Sequence, residues 1–412
     1  MNILIISQYF WPENFRINDL AVGLKEQGHT LTVLTGYPNY PEGRFFSGYS
    51  LFARRHEQWH GINIIRVPLI PRGSGGGLRL ALNYISFAFL GAVLAPLLCC
   101  GRYDLIFVYE PSPITVGIPA LVMKSIRRIP IIFWVQDLWP ESLSAAGAVK
   151  SRAVLGLVDR LVRRIYAGCD LILVQSRAFF DVIRSQGVPL ERIRYFPNGA
   201  EELYRPISPD ATKTEAREVP EGFRVVFAGN IGAAQDFDSI LSAAELLKHQ
   251  PQIRWIIIGD GRMRNWVADQ IRIRGLERSV TLLGRKPAEV MPRFFALADI
   301  LLVTLKKTPI FALTIPSKLQ SYLACARPIV AALEGEGAKV VKESGAGLVT
   351  KPESPKELAA ALLALYDASA EQRAVMGNNG RRYFEDHFER SVLIKRLEQW
   401  MQDVIMRDGD YR

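Results

Sequence analysis

The run FALTIPSKLQSYLACARP, residues 311–328, combines residue types that bind an anion at the start of a helix. Pro316 suits a first helical turn, Ser317 offers a hydroxyl group, and Lys318 offers a point charge that suits phosphate. The N–H groups at a helix start are free to bind anions. The spacing therefore predicts a diphosphate site, and the alternative is an ordinary capped helix with a solvated lysine. The residues expected to bind the phosphates here are Thr314, Ile315, Ser317 and Lys318.

Two glycine turns that each follow a predicted strand are further candidates for phosphate contacts. Gly229-Asn230-Ile231-Gly232 opens a helix, and Gly259-Asp260-Gly261 precedes the cations Arg262 and Arg264. Because glycine lets backbone approach a ligand closely, the N–H groups of both turns are candidates for binding an anion. Neither turn has the GxGxxG spacing of a dinucleotide site. Plain turn chemistry is the alternative for each.

Acidic and aromatic residues follow three predicted strands in the first half of the chain. These segments are Gln136–Glu141, Tyr9–Arg16 and Tyr37–Pro41. Carboxyl ends of parallel strands meet at one edge of a sheet, where ligands bind. We therefore expect a binding site that includes Asp137 and Glu13, although Asp137 also suits capping of the next helix. The candidate ligand-binding residues at this edge are Asn14, Arg16, Tyr37, Trp139 and Glu141.

The sequence contains little that could hold a metal ion. The acidic pair in Asp236-Phe237-Asp238 has metal-binding spacing, but its position at a helix start favours capping and interaction with the helix dipole. No other group of His, Cys, Asp and Glu has metal-ligand spacing, so no metal or other cofactor is expected. Four cysteines lie outside any disulfide or metal pattern and are expected to be buried and reduced: Cys99, Cys100, Cys169 and Cys325.

The elements that position these residues indicate an α/β protein with two doubly wound halves. Short runs rich in Val and Ile alternate with helical patterns, which is typical of parallel sheets covered by helices. The turn Pro197-Asn198-Gly199 divides two such series. We expect domains at 1–200 and 201–384, one or two helices at about 385–412, and a ligand in the cleft between the domains. Strands are predicted at residues 2–7, 29–35, 62–67, 105–109, 131–135, 171–175, 193–196, 223–228, 255–258, 280–282, 300–303, 329–332 and 347–349.

Charge and hydropathy point to a membrane surface. The formal net charge is +10 over 412 residues, which favours polyanionic partners, yet no nucleic-acid-binding motif is present. Leu80–Cys100 carries no charged residue and is long enough to span a bilayer. A crossover helix is the preferred interpretation, because strands are predicted on both sides and Pro96 interrupts the run. Partial insertion stays open, since Arg72, Arg79 and the flexible stretch 73–77 precede it. The N-terminus lacks the features of a signal peptide, so the cytoplasm is the expected compartment.

Seven segments together carry a family resemblance over nearly the whole chain. They are ISQYFWPENFRINDLAVGLKEQGHTLTVLTGYPNYPEG, FWVQDLWPESL, PNGAEE, FAGNIGAAQDFDSILSAAELL, IIIGDGRMR, LLGRKPAEVM and IPSKLQSYLACARPIV. The chain resembles the retaining GT-B glycosyltransferases of family 4, and is most similar to the WbuB-like branch associated with bacterial O-antigen and capsule assembly. The resemblance implies two Rossmann-like domains facing each other across a cleft. The first would bind the acceptor, the second the nucleotide sugar, and a final helix would cross back to the first.

The chain departs from the family pattern at polar positions. Neutral side chains stand where the family has two glutamates, a phosphate-binding Arg and Lys, and a His before the Asp: Leu313, Ser321, Asn230, Gln235 and Gln136. Ser321 takes the position of the glutamate that holds the ribose. Lys318, aided by Arg262, Arg264 or Lys286, is expected to supply the missing cation.

The resemblance implies transfer of a sugar from a UDP-sugar with retention at the anomeric carbon. Uracil would lie against Gly284-Arg285-Lys286, and the diphosphate between Gly232 and the Ser317 helix start. The apolar Ile310 and Phe311 would face a deoxy or N-acetylated sugar such as N-acetyl-L-fucosamine. The acceptor would be a sugar on undecaprenyl diphosphate. Asp137 would be the first candidate for a general base or an orienter of the acceptor, and Glu13 the second. These assignments, together with the positive charge, place the enzyme at the inner face of the cell membrane.

Two other functions fit parts of the same pattern. A nucleotide-sugar epimerase has the same architecture and would consume donor without acceptor. A membrane-associated scaffold that binds without catalysis would account for the missing glutamates.

Overall fold

The computed structural model describes residues 1–50, 53–73, 76–145, 149 and 151–410. Two compact units are present, Met1–Pro197 with Leu393–Arg412, and Asn198–Val392. Within the glycine-rich stretch 73–77, Ser74 and Gly75 lie outside the described residues, as do the last two residues of the expected terminal helix.

The first unit is built on an eight-stranded sheet. Its strands are β1 (Asn2–Ile6), β2 (Thr30–Gly36), β3 (His56–Trp59), β4 (Ile62–Val67), β5 (Leu105–Glu110), β6 (Ile131–Val135), β7 (Leu171–Val174) and β8 (Ile193–Tyr195). The strand order is β3-β4-β2-β1-β5-β6-β7-β8. All neighbours pair in parallel except β3 and β4. The helices of this part of the chain are α1 (Arg16–Glu26), α2 (Gly77–Leu98), α3 (Gly117–Arg127), α4 (Glu141–Ala145), α5 (Arg152–Ala167) and α6 (Phe179–Ser185).

The second unit has a six-stranded sheet in which all pairs are parallel. Its strands are β9 (Phe223–Ala228), β10 (Ile253–Ile258), β11 (Val280–Gly284), β12 (Ile300–Thr304), β13 (Ile329–Ala332) and β14 (Gly347–Thr350), in the order β11-β10-β9-β12-β13-β14. Its helices are α7 (Phe237–Leu246), α8 (Arg264–Ile273), α9 (Met291–Ala296), α10 (Pro309–Ala312), α11 (Ser317–Ala324), α12 (Glu336–Ser344), α13 (Pro355–Asp367) and α14 (Ala370–His387). The chain ends in α15 (Arg390–Asp410).

Alternation along the strands buries both faces of the second sheet. In β9, Val226 faces a core that includes α11 residues, whereas Val225 and Phe227 face a core shared with α7 and α13. A strand covered by helices on both faces reads as a continuous apolar run. This explains why the hydrophobic runs predicted these strands correctly.

α15 packs on the first unit through one face. Leu393, Leu397, Met401 and Val404 recur at helical spacing and are buried in the core that contains α1 and the strands of the first sheet. A stripe with this spacing is the usual apolar face of an amphipathic helix.

Every strand predicted from the sequence is present, with ends that differ by a few residues. One strand was missed. β3 has the sequence HEQW, lies at the edge of the sheet, and alternates between exposed and half-buried residues. Its polar residues gave no apolar run, so only pairing with β4 reveals it.

α2 is a crossover helix, as predicted. It connects β4 to β5, which belong to the same sheet, and Asn83, Phe87 and Gly91 bury its inner face. It is nevertheless long and apolar enough to cross a membrane by length and composition.

Candidate active site

Lys318 lies at the centre of the candidate phosphate site in the second unit. Its Nζ donates a 2.6 Å hydrogen bond to Gln235 Oε1 and lies 3.8 Å from the centroid of the Phe227 ring. A Cβ atom on Gly229 would be 3.2 Å from the same nitrogen. The first turn of α11 thus places its ammonium group at the carboxyl end of β9, beside the first glycine turn. The sequence had predicted a diphosphate between Gly232 of this turn and the start of the same helix.

Burial lowers the pKa of Lys318 to about 7. Among the residues that the structure describes, no carboxylate forms a salt bridge with it; its hydrogen-bond partner is the neutral amide of Gln235. A desolvated ammonium without a counter-charge disfavours its own protonated form. An anionic ligand would supply that counter-charge.

Gln235 is held in place by the end of β12. Thr304 Oγ1 donates to the Gln235 carbonyl oxygen, and the Lys306 N–H donates to the Ala234 carbonyl at 2.9 Å. Gln235 was identified from the sequence only as the position of a missing lysine. In the structure its side chain receives the ammonium group of Lys318.

The glycine turns do not present the N–H groups that we expected. The Gly229 N–H donates to Ile258 O, the Gly259 N–H to Gly284 O, and the Gly261 N–H to Asp260 Oδ1. The prediction that these three N–H groups bind phosphate is therefore wrong.

These glycines instead let the two turns pack against each other. A Cβ on Gly259 would lie 1.8 Å from Gly229 O, and one on Gly261 would lie 2.4 Å from Ile231 O. Gly232 packs beneath the exposed Asn230 side chain, whose Nδ2 would be 2.5 Å from an added Cβ. Close approach of backbone is the second common reason for glycine in a turn.

The segment before α11 contains both exposed and buried candidates. Ser317 is exposed at the start of the helix, and Thr314 Oγ1 donates to Phe311 O at 3.2 Å. Ile315 and Ser321 are buried. Their side chains therefore do not reach a ligand as expected, and a ligand contact at Ile315 is limited to its backbone.

The expected donor-sugar residues lie on the short helix α10. Ile310 and Phe311 are half-buried, and Phe311 packs against the core of the second unit. Thr308 caps this helix by accepting a hydrogen bond from the Phe311 N–H at 3.3 Å.

The auxiliary cations differ in availability. Arg262 and Arg285 are exposed. Lys286 forms a salt bridge with Glu218 and lies 5.6 Å from the Phe294 ring. Its charge is therefore already balanced, so it is a weaker phosphate-binding candidate than predicted.

The acidic pair Asp236 and Asp238, whose spacing resembles a metal site, lies at the start of α7. Asp236 precedes α7 with φ of 49°, and its side chain makes no capping hydrogen bond. Asp238 lies in the first turn and binds Arg274 at 2.6 Å. The capping prediction is thus wrong for Asp236, while the position of Asp238 near the positive end of the helix is as expected. No group of residues that could hold a metal ion occurs in the described ranges.

In the first unit, Asp137 is paired with an acid that sequence reasoning missed. Glu110, the last residue of β5, is fully buried, and its Oε2 accepts a 3.4 Å hydrogen bond from the Asp137 N–H. Asp137 Oδ1 accepts from the Ser142 hydroxyl on α4. Burial raises the pKa of Asp137, and burial followed by repulsion from Asp137 raises the pKa of Glu110. Glu110 could have been found from the sequence, because β5 and β6 pair in parallel and their carboxyl ends therefore lie side by side.

Glu13 is buried and holds a loop. Its Oε1 accepts hydrogen bonds from the N–H groups of Asn39 (2.8 Å) and Tyr40 (2.7 Å), and burial raises its pKa to about 7. These bonds tie the segment after β1 to the segment after β2. The geometry favours a positioning role over that of a general base.

Arg72 is a second residue that the motifs did not identify as a site component. Its guanidinium donates to the Tyr9 hydroxyl at 3.3 Å and lies 4.9 Å from the Tyr40 ring. Tyr9 stacks on Phe15 at 4.9 Å. No carboxylate pairs with Arg72 in the part of the chain that the structure describes, so this aromatic cluster carries a positive charge.

The residues expected to bind the acceptor fall into two groups, those that are buried and those that a ligand can reach. Tyr37 is fully buried and Trp139 is 7% exposed, so direct ligand contact by either aromatic face is not supported. Tyr37 instead packs against Phe45, and Trp139 packs against Tyr84. Asn14 and Glu141 are exposed and Arg16 is half-buried, which leaves these three able to contact a ligand.

Two family models match the two units. The model described as "Glycosyl transferase 4-like domain" matches residues 14–199, and the one described as "Glycosyl transferases group 1" matches residues 210–383. These two matches, together with two α/β units that are each built on a mainly parallel sheet, decide the family to which the chain belongs. The chain is a GT-B glycosyltransferase. The fold class predicted from the sequence is confirmed.

Relatives of this glycosyltransferase include proteins of polysaccharide biosynthesis. The putative colanic acid biosynthesis glycosyl transferase WcaI of Escherichia coli (strain K12) is 24% identical over 377 residues, covering 88% of this chain and 91% of WcaI. The probable glycosyltransferase WbjE of Pseudomonas aeruginosa is 30% identical over 239 residues, covering 55% of this chain and 58% of WbjE.

Solved structures share the fold over almost the whole chain. Anabaena Alr3699/HepE in complex with UDP has a TM-score of 0.73 at 18% identity, covering 98% of this chain and 100% of that one. Sucrose-phosphate synthase from Thermosynechococcus elongatus has a TM-score of 0.71 at 16% identity, covering 98% and 99%.

Proposed function

We propose that this glycosyltransferase moves a sugar from a UDP-sugar to a lipid-linked glycan acceptor, with retention at the anomeric carbon, in the assembly of a surface polysaccharide. The observation that carries the proposal is the Lys318 ammonium group, held at the end of β9 with a neutral amide as its hydrogen-bond partner. Such a group is suited to a diphosphate, which brings the missing negative charge.

UDP is the proposed leaving group. HepE, which shares the fold, has been solved with UDP and with UDP-glucose. In this chain the diphosphate would bind between Lys318 and the N–H groups at the start of α11, next to Asn230 and Gly232. Arg262 and Arg285 are the exposed cations proposed to assist. Ser321 is buried, so ribose recognition would fall to other groups.

Catalysis would come from stabilising charge as it develops. Departure of UDP increases the negative charge on its phosphate oxygens, and preorganised cations and N–H groups aimed at those oxygens lower the barrier. The departing phosphate would take the proton of the acceptor hydroxyl, so no side-chain nucleophile is required. Asp137 would orient that hydroxyl. In the alternative route Asp137, whose raised pKa suits a proton acceptor, would take this proton in place of the phosphate.

The sugar and acceptor are proposed from the surroundings of the site. Ile310 and Phe311 give the donor pocket an apolar wall, which fits an N-acetylated or deoxy sugar such as N-acetyl-L-fucosamine. The name of WcaI places that protein in colanic acid biosynthesis, and a sugar on undecaprenyl diphosphate is the acceptor that we propose here. The protein would work at the inner face of the membrane.

The test is the Lys318→Ala variant. We expect UDP affinity and transfer rate to fall by about a hundredfold or more, a loss typical of a removed charge-stabilising group. Titration calorimetry with UDP and a coupled assay for UDP release measure the two effects. Lys342→Ala, at an exposed lysine on α12, is the matched control. Near-normal transfer by Lys318→Ala would contradict the assignment.

A catalytically weak binding protein is the second candidate, because a buried serine stands where the family's ribose-binding glutamate is expected. UDP binding without donor turnover, in the presence of membrane-extracted acceptor, would favour it.

A further inference from the structure

The outer face of α2 is a continuous apolar stripe. Its members recur every three or four residues and are between 41% and 78% exposed: Leu78, Leu82, Ile85, Phe89, Val93 and Leu97. An exposed stripe of this length is unusual for a soluble surface and marks an interaction site.

The inner face of α2 is fixed to the first unit. Asn83 Oδ1 accepts from Gln8 Nε2 at 2.7 Å, and its Nδ2 donates to Ile70 O at 2.6 Å. Gly91 allows close packing of Pro119 from α3. A helix anchored along one side and apolar along the other fits the surface of a bilayer better than its interior.

A basic groove lies at the amino-terminal edge of the first sheet, beside the end of α2. Its volume is about 1500 Å³. One carboxylate, Asp170, lines it within the described residues, and it is already paired with Lys124 at 2.5 Å. The cations that line the groove are Lys124, Arg127, Arg128, Arg164, Arg192 and Arg407.

The groove and the stripe are contiguous. An Arg127 Nη atom donates to Pro96 O in the last turn of α2 at 3.4 Å. Ile126, which also lines the groove, is 57% exposed. Apolar side chains next to clustered arginines match the boundary between acyl chains and anionic headgroups.

We propose that the groove binds the headgroups of anionic phospholipids while α2 lies in the plane of one leaflet, its stripe inserted between acyl chains. This inference rests on the proposed membrane-linked acceptor, for which it supplies the docking surface. It assigns Arg127 and Arg164 to headgroup contact, and Ile85 and Phe89 to insertion. Neither pair belongs to the candidate active site.

Co-sedimentation of the full-length protein with vesicles tests the proposal. The vesicles are phosphatidylcholine alone and phosphatidylcholine mixed with phosphatidylglycerol. We expect the double variant Arg127→Gln with Arg164→Gln to bind the anionic vesicles about tenfold more weakly or worse, because each arginine near a charged surface contributes substantially. The double variant Ile85→Gln with Phe89→Gln should lose binding to both kinds of vesicle.

Matched changes on the second unit serve as controls. Arg278→Gln with Arg382→Gln removes the same charge from exposed positions, and Ile273→Gln with Val375→Gln removes two apolar side chains of similar fractional exposure. Both controls should bind as the parent protein does. Equal weakening by the control and groove variants, or unchanged binding by the groove variant, would overturn the proposal.

UDP titration separates this inference from the proposed function. The groove and stripe variants should keep the parent affinity for UDP, and urea unfolding followed by tryptophan fluorescence checks that their first unit is folded. If the parent protein docks on anionic vesicles but binds no UDP, the proposed function fails and the docking surface stands.

Discussion

At the scale of single residues, the candidate site is defined by ionisable groups whose surroundings oppose their charge. Lys318 is desolvated beside Phe227 and Gln235, while the fully buried Glu110 lies next to the half-buried Asp137. Shifted pKa values of this kind are concentrated at functional sites, where a bound substrate can supply the opposite charge that the ionisable group lacks. The charge on Lys318 costs stability in the free protein, and under the proposed function a bound phosphate would compensate it.

The affinity for UDP should depend on pH through Lys318. Its pKa in the free protein is about 7, and a bound diphosphate favours the protonated form. Above about pH 7 binding must be accompanied by proton uptake, so affinity should fall as pH rises, by at most about tenfold per pH unit. Calorimetry from about pH 6 to about pH 9 in buffers of different ionisation enthalpy measures both effects. In Lys318→Met the affinity should be low and independent of pH over this range.

Lys318→Met, which should lower the affinity for UDP, should raise the stability of the free protein. Because the folded-state pKa of Lys318 lies below its unfolded value, the unfolded chain binds more protons, and stability rises with pH between about 7 and about 10.4. Lys318→Met should therefore raise the free energy of unfolding at neutral pH by about 1 kcal/mol. Urea unfolding without ligand measures it. A clear loss of stability would contradict the assigned environment of Lys318.

Glu13 offers a test that separates positioning from proton transfer. Its Oε1 accepts two backbone N–H groups, and the Oε1 of glutamine can accept them too. We expect Glu13→Gln to keep transfer within about threefold of the parent, whereas loss of a general base would cost about a hundredfold or more. Glu13→Ala should impair transfer because it leaves the two N–H groups without an acceptor. Initial rates over a range of pH distinguish these outcomes.

At the scale of elements, the two glycine turns act as a packed unit that places Lys318. Gly229 O lies where a side chain on Gly259 would point, and the Ile231 N–H donates to Asp260 O at 2.8 Å. The turns therefore have one joint conformation, which fixes the end of β9 relative to β10. Under the proposed function, the two turns would position the candidate site and α11 would supply its cation.

Gly259→Ala should disrupt this arrangement. Its φ is 147° and an added Cβ would lie 1.8 Å from Gly229 O, so both the backbone conformation and the contact are unfavourable. We expect the free energy of unfolding to fall by about 2–4 kcal/mol, with a matching loss of UDP affinity. Gly187→Ala, which has φ of 94° and no atom near the added Cβ, is the control for backbone strain alone and should lose about 1 kcal/mol. Equal losses in the two variants would mean that packing between the turns is unimportant.

At the scale of the whole molecule, the chain returns to its first unit at its end. α15 contributes Leu397 and Met401, both fully buried, to the core beneath the first sheet. The first unit is therefore assembled from residues nearly four hundred positions apart in a chain of 412. Its folding cannot be completed before the second unit has been synthesised.

Leu397→Ala tests this dependence. Removing a fully buried leucine side chain should lower the stability of the first unit by about 2–5 kcal/mol. We expect urea unfolding followed by the fluorescence of Trp59 and Trp400 to shift, while UDP protection of the second unit is retained. Gln402→Ala, at an exposed position of the same helix, should leave unfolding unchanged. A shift as large for Gln402→Ala as for Leu397→Ala would show that helix propensity, not core packing, sets the effect.

The sequence alone determined every described strand except the polar β3, the two doubly wound halves and the residues that carry charge at a helix start. These features depend on local patterns: apolar runs of strand length, glycine turns, and a Pro-Ser-Lys helix start. Lys318 became a candidate in this way because a lysine at the start of a helix, next to Pro316 and Ser317, is a pattern that suits anion binding.

Tertiary structure alone decided which groups face each other. The pairing of Glu110 with Asp137 depends on two strands separated by more than twenty residues ending side by side. The N–H groups of Gly229 and Gly259 are used by neighbouring strands, which no local pattern reveals. The outward direction of the α2 stripe follows from which face packs on α3. Burial and partnership are properties of the packed molecule, and they determined whether each predicted residue can meet a ligand.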